Sequence, residues 1–214
     1  GPNIDIRFRR HTGMADGIGL AITEAFLREG ARVVGADINA DKGKAEAFRL
    51  DSSGERLRFV AADVGSTPDM ERLVATALEA FGRIDILVNN AAVAVGGNIT
   101  TMAEEDWDRV MNTNLKSVYR TTRFVLPHML AQGSGSVINM SSTQGVRSWH
   151  NWTAYAAAKG AIVAMTRQLA CQFGANGVRF NTISPGTILT PMNERRAALE
   201  GKALLERSAA TALR

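Results

Sequence analysis

The sequence predicts a doubly wound α/β fold, one parallel sheet with helices on both faces. Three observations predict it. Short apolar runs alternate with amphipathic stretches along the chain. The apolar runs are nearly continuous, as strands covered on both faces require. A glycine-rich turn opens the first amphipathic stretch, where such folds place a tight strand-to-helix connection. Right-handed crossovers then bring the strands into parallel pairing. No linker, internal repeat or low-complexity segment interrupts the chain, so a single domain over residues 1–214 is expected.

Taken in order, residues 4–11 are the first strand candidate. They alternate but carry Asp5, Arg7, Arg9 and Arg10, four charges where a central parallel strand should be apolar. Gly17–Arg28 is the first helix, and Gly30 after Glu29 suits its left-handed stop. Arg32–Asp37 is a short buried strand, followed by the helical stretch Ala40–Leu50 and the strand Leu57–Ala61. The next helix covers 68–81. Pro68 fits its first turn, Asp69 and Glu71 face the positive end of its dipole, and Gly82 stops it. A strand at 84–89 leads to a long helical stretch at 104–130. The strand at 136–141, the helix Thr153–Phe173 and the strand Val178–Ile183 complete the alternation.

Composition narrows the function classes. The 214 residues are 45% hydrophobic and 21% charged, enough for a substantial core. The net charge of +4 is modest. Basic residues are scattered, apart from Arg7, Arg9 and Arg10 and a tail with Arg195, Arg196, Lys202 and Arg207. No aromatic-interleaved basic stripe appears, so no nucleic-acid partner is expected, and the tail reads as a solvated face. No run of about 18 apolar residues predicts a membrane span. The start lacks a charged-then-apolar signal pattern. The lone Cys171 excludes an internal disulfide and fits a reducing compartment, so a cytoplasmic location is expected. It falls inside a helical stretch and reads as a small buried apolar residue. His11, His128 and His150 form no ligand cluster, so no metal is expected.

The glycine turn runs Thr12-Gly13-Met14-Ala15-Asp16-Gly17-Ile18-Gly19. Glycines let the backbone approach a pyrophosphate, and the following helix offers free N–H groups and a positive dipole end. Asp37 ends the second strand eighteen residues beyond Gly19. An acid there accepts hydrogen bonds from adenosine ribose hydroxyls and repels a 2′-phosphate, which favours NAD over NADP. The alternative role for Asp37 is a helix N-cap.

Tyr155 and Lys159 stand four residues apart in an alanine-rich stretch. On a helix both side chains share one face, one turn apart. An ammonium beside a phenol favours the phenolate and lowers the tyrosine pKa from its reference of about 10. A phenol tuned so can exchange a proton with an alcohol or carbonyl oxygen near neutral pH. The same spacing on a solvent-facing helix is an ordinary Tyr/Lys pair, so the surrounding motifs decide.

Together these pieces resemble the short-chain dehydrogenase/reductase family, from Thr12 to about Met192. The turn matches TGxxxGxG. Asp63-Val64 looks like the family's adenine-contacting pair. Asn89-Asn90-Ala91-Ala92 resembles its NNAG motif, with alanine for the last glycine. Asn114 falls where the family has its active-site asparagine. Ser142 lies thirteen residues before Tyr155, the family's spacing, although Ser141 is the alternative register. Pro185-Gly186 with Thr190 resembles the loop that holds the nicotinamide carboxamide.

The resemblance implies a Rossmann-like oxidoreductase moving a hydride between NAD and a secondary alcohol or ketone. Its implied catalytic set is Asn114, Ser142, Tyr155 and Lys159. Tyr155 is the general acid and base, Ser142 holds the substrate oxygen, and Lys159 tunes Tyr155 and binds the nicotinamide ribose. Asn114 positions a water that links Lys159 to solvent. The implied cofactor contacts are Gly13, Asp16, Gly17, Ile18, Gly19, Asp37, Asp63, Val64, Asn90, Tyr155, Lys159, Pro185, Gly186, Ile188 and Thr190. Residues 93–97, 144–152 and those after Pro185 should border the substrate pocket. Trp149, His150 and Trp152 there fit a compact apolar or cyclic substrate, or a surface loop. A homo-oligomer, tetramer or dimer, is implied. The family's further helix and seventh strand are expected beyond this region, yet only one helix-like stretch, 193–213, follows. Two other functions stay open: an NADP-dependent carbonyl reductase, and a catalytically silent nucleotide-binding regulator.

Overall fold

The computed structural model describes residues 13–188 and 190, with the backbone of Ile4–Arg7. Among these residues six strands form one parallel sheet: β1 (Ile4–Arg7), β2 (Arg32–Asp37), β3 (Leu57–Ala61), β4 (Ile86–Asn89), β5 (Gly135–Met140) and β6 (Val178–Ile183). Their order is β3-β2-β1-β4-β5-β6. The doubly wound fold is as the alternation predicts. The chain starts at the centre of the sheet, builds outward one way, then returns and builds the other way. β1 pairs on both sides, Ile6 opposite Val34 and Leu87. Of the 4–11 candidate, Ile4–Arg7 is strand, and residues 8–12 lie outside those described.

The helices are α1 (Gly17–Arg28), α2 (Ala40–Leu50), α3 (Thr67–Phe81), α4 (Glu104–Val110), α5 (Ser117–Gln132) and α6 (Thr153–Phe173). Local chemistry fixes their ends. Ser66 accepts a hydrogen bond from Asp69 N at the start of α3, with Pro68 in the first turn. Gly82 stops α3 at φ +77°, and Gly30 follows α1 at φ +80°, as the stop signals require.

The long stretch 104–130 is not one regular helix. A π-helical segment, Met111–Lys116, separates α4 from α5. Other bounds shift by a residue or two: α3 begins at Thr67, β4 at Ile86 and β5 at Gly135. The stretch 193–213 lies outside the described residues.

The main core fills one face of the sheet, with Val34, Leu87 and Val137 from the strands against Leu73, Ala77, Val125 and Met129 from α3 and α5. A second cluster joins Met14, Leu27, Val33 and Leu57, and a third joins Val93, Val110, Ala154 and Ala158 beside the site described below. One expectation fails here. Cys171 is exposed, not buried. The buried face of α6 runs through Ala154, Ala158, Ile162 and Thr166, a four-residue step that puts Cys171 on the far side.

Candidate active site

All six strands run the same way, so their C-terminal ends share one edge. Open α/β sheets bind ligands at that edge, where the strand order reverses. Here the reversal falls between β1 and β4. The glycine loop, Asp37, Asp63, Asn90, Ser142 and Pro185 all lie at or just beyond strand ends on this edge.

The glycine loop is tightly braced. Asp16 caps α1, its Oδ1 accepting from Gly17 N at 2.7 Å and its Oδ2 pairing with Lys42 Nζ at 2.7 Å. A Cβ on Gly19 would stand 2.4 Å from the Gly13 carbonyl oxygen, so only glycine lets α1 begin this close to the loop. Ile18 is half-buried. Asp37, 3% exposed, accepts hydrogen bonds from Gly13 N (2.7 Å), Ala15 N (3.3 Å) and Asn39 N (2.9 Å). Asn39, not Asp37, caps α2. The N-cap alternative for Asp37 does not hold, and its carboxylate has a bracing role that spacing does not reveal.

Asn90 follows β4 and is 3% exposed, and its Nδ2 is buried without a hydrogen-bond partner. That donor lies 3.0 Å from where a Gly19 Cβ would sit. A buried orphan donor beside a glycine cradle and a helix N-terminus fits an acceptor-rich dinucleotide. Asp63 Oδ1 accepts from Gly65 N at 2.8 Å, while the Val64 side chain is part of the main core.

At the other side of the site, α6 carries Tyr155 and Lys159. Lys159 is 2% exposed, and its Nζ donates to Met140 O at 2.7 Å. The same ammonium lies 5.7 Å from the Tyr155 ring centroid. Burying an ammonium is costly unless polar groups receive its protons, so its placement is specific. Tyr155 itself is half-buried. The two serines divide clearly. Ser141 Oγ donates to Lys159 O at 2.7 Å and fastens α6 to the end of β5. Ser142 is half-buried and its Oγ accepts from Gln144 N at 3.2 Å, capping the single turn Thr143–Gly145. That turn is tied to the β6 loop, since Thr143 N donates to Pro185 O at 3.0 Å. Pro185 is half-buried, Gly186 and Ile188 are exposed, and Thr190 is buried.

Asn114 lies in the π-helical segment, fully buried. Its Oδ1 accepts from Val93 N (2.7 Å) and its Nδ2 donates to Val93 O (2.9 Å). The side chain thus clamps the loop after β4 from both sides. π-helical turns recur at functional sites because they aim a side chain that a regular helix would misplace.

Sequence reading misses three features. Lys42 reaches Asp16 across twenty-six positions. Buried Arg120 ties the π-helical segment to α3, its Nη2 donating to Asn112 Oδ1 at 2.7 Å and its Nε to Thr67 Oγ1 at 3.2 Å. Asn89, Asn139 and Thr166 form a buried polar ladder, with Asn89 Nδ2 donating to Asn139 Oδ1 (2.8 Å) and Asn139 Nδ2 to Thr166 Oγ1 (2.9 Å). None of these carries a local signature. Among the described residues, no three His, Cys, Asp or Glu side chains converge, and no helix is long and apolar enough to cross a membrane.

The sequence profile described as short chain dehydrogenase matches residues 11–200. The chain is similar to the 3-oxoacyl-(acyl-carrier-protein) reductase of Thermotoga maritima, 36% identical over 184 residues, which is 86% of this chain and 75% of that protein. Among solved structures it resembles a variant of actinorhodin polyketide ketoreductase with NADPH. There the TM-score is 0.88 and the identity 31%, over 94% of this chain and 77% of that one. It also resembles the 3-ketoacyl-(acyl-carrier-protein) reductase of Brucella melitensis complexed with NADH. That TM-score is 0.82 and the identity 30%, over 89% and 77%.

Proposed function

The chain belongs to the short-chain dehydrogenase family, and on that premise we propose that it transfers a hydride between NAD(H) and a secondary alcohol or ketone, with Tyr155 as general acid and base. It is an NAD(P)-dependent oxidoreductase acting on a CH–OH group or ketone. The observation that carries the finer reading is the buried Lys159 ammonium, 5.7 Å from the Tyr155 ring. An ammonium held near a phenol favours the ionised form of that phenol.

In this reading the nicotinamide, when bound, supplies the hydride chemistry. Everything else falls to the protein. Gly13, Asp16, Gly17, Ile18 and Gly19 would cradle the pyrophosphate end, and Asp37 would take the adenosine ribose. Asp63, Val64 and Asn90 would border the adenosine half. Pro185, Gly186, Ile188 and Thr190 would hold the nicotinamide end. Ser142 donates a hydrogen bond to the substrate oxygen. In oxidation Tyr155 accepts the hydroxyl proton of the alcohol, and in reduction it returns a proton to the carbonyl oxygen. Lys159 stabilises the phenolate and holds ribose hydroxyls. Asn114 keeps the β4 loop in place through Val93, a mechanical role firmer than the water-positioning one that the resemblance implies.

A second reading, NADP dependence, is favoured by one observation: Lys42 brings a cation to Asp16 beside the ribose-binding acid. Asp37 weighs more heavily, because a buried carboxylate repels a 2′-phosphate directly.

The test is an absorbance assay of NADH and NADPH oxidation with a panel of β-keto esters and cyclic and linear ketones. Turnover is expected with NADH. Tyr155→Phe should lower kcat by about 10²–10⁴-fold while NADH affinity, read by fluorescence, stays within about twofold. Wild-type turnover in Tyr155→Phe would sink the assignment.

A further inference from the structure

We propose that Trp152 is a positioning residue for Tyr155, fixing the phenol ring against the loop that follows β4; this rests on the reading of Tyr155 given above. The Trp152 and Tyr155 rings meet edge to face, centroids 5.6 Å apart and planes at 77°. This is a favourable aromatic geometry, and it holds a ring in both position and tilt. Trp152 immediately precedes α6, three residues before Tyr155, and the turn into the helix leaves the two rings in contact. It is 8% exposed although its neighbours His150 and Asn151 are exposed.

Trp152 is itself held from across the site. Gly97 forms a parallel bridge with it: Gly97 N donates to Asn151 O at 2.8 Å, and Thr153 N donates to Gly97 O at 3.2 Å. The chain reaches this bridge through Asn151 at φ +62°, the one described non-glycine residue in the left-handed region, which asparagine tolerates better than most. At its other end the same loop is clamped at Val93 by Asn114. The π-helical segment, the β4 loop, Trp152 and Tyr155 thus form one chain of contacts. A phenol that must meet both a substrate oxygen and the Lys159 ammonium needs its ring plane fixed, and Trp152 supplies the edge that fixes it.

The protein has two tyrosines, Tyr119 and Tyr155. In a Tyr119→Phe background an ultraviolet titration therefore reads Tyr155 alone. Trp152→Ala should let the phenol drift from Lys159, raising its ionisation midpoint by at least about half a pH unit. Trp152→Phe, which keeps a ring edge, should stay close to the parent. With a ketone from the panel, Trp152→Ala should lower kcat about tenfold while NADH affinity changes less than about twofold. If Trp152→Ala does not fold, Trp152→Leu fills similar space without an aromatic edge and gives the same reading. A midpoint that stays put or falls overturns the proposal, a fall meaning that Trp152 only shields the phenol from water. The two readings separate cleanly. Full activity in Tyr155→Phe defeats the proton-transfer role, whereas an inactive Tyr155→Phe with an unmoved Trp152→Ala midpoint defeats only the positioning role.

Discussion

Asp37 shows how one side chain can organise a loop. Its carboxylate accepts three backbone N–H groups, from Gly13, Ala15 and Asn39. An ionised carboxylate offers about four acceptor sites, so one direction remains for a ribose hydroxyl. Asp37→Ala should weaken NADH binding at least about tenfold and NADPH binding less, because the acid that repels a 2′-phosphate is gone. Fluorescence titration with both cofactors checks this, and equal losses would make Asp37 a loop brace alone. The variant should also melt earlier, since each stranded buried amide costs about 1–3 kcal/mol. The proximity of Tyr155 to Lys159 and the tight glycine turn were legible in the sequence because they are local, set by spacings of two to four residues. The clamp of Asn114 on Val93 was not, because twenty-one residues separate the partners. The orphaned amide of Asn90 was not either, because burial without a partner is a property of the assembled fold.

At the scale of elements, the break in 104–130 is the clearest departure from pattern. The apolar period is helical throughout, and nothing in it marks the shift to π geometry at Met111–Lys116. Tertiary contacts accompany the shift: Asn112 is held by Arg120, and Asn114 by Val93. Hydroxyls continue the adjustment down α5, Ser117 donating to Thr113 O and Thr121 to Ser117 O. A second element shows electrostatics at work. Between α2 and β3, Asp51 accepts from Ser53 Oγ (2.6 Å), Arg56 N (2.7 Å) and Leu57 N (2.8 Å). Burial pushes its carboxyl up, but the Ser53 hydroxyl, the two amides and the Arg56 charge outweigh that and hold it below the usual range. A carboxyl lowered on folding stabilises the protein above its unfolded value of about 3.9 and loses that contribution as pH falls through the lower folded value. Asp51→Asn should therefore flatten the loss of stability below about pH 4 in acid denaturation. Superimposable acid profiles would show that the turn does not depend on this charge.

At the scale of the molecule, parallel pairing is what makes a site from distant residues. It brings the ends of β1 to β6 to one edge, so segments spread over most of the chain meet there. Alternating apolar runs and amphipathic stretches were enough to foresee the layered architecture. The strand order was not contained in that alternation. It follows from which crossovers fold onto which face, and periodicity does not distinguish the faces. The charged first strand shows the same limit from the other side: its composition argues against a central position, yet pairing with β2 and β4 puts it there.

The most direct measurement is the ionisation of the Tyr155 phenol, followed by ultraviolet titration in the Tyr119→Phe protein with Lys159 intact and with Lys159→Met. A midpoint clearly below the ordinary phenol value of about 10, rising when the ammonium is removed, is the predicted result. An ordinary midpoint that ignores the loss of Lys159 would contradict the account.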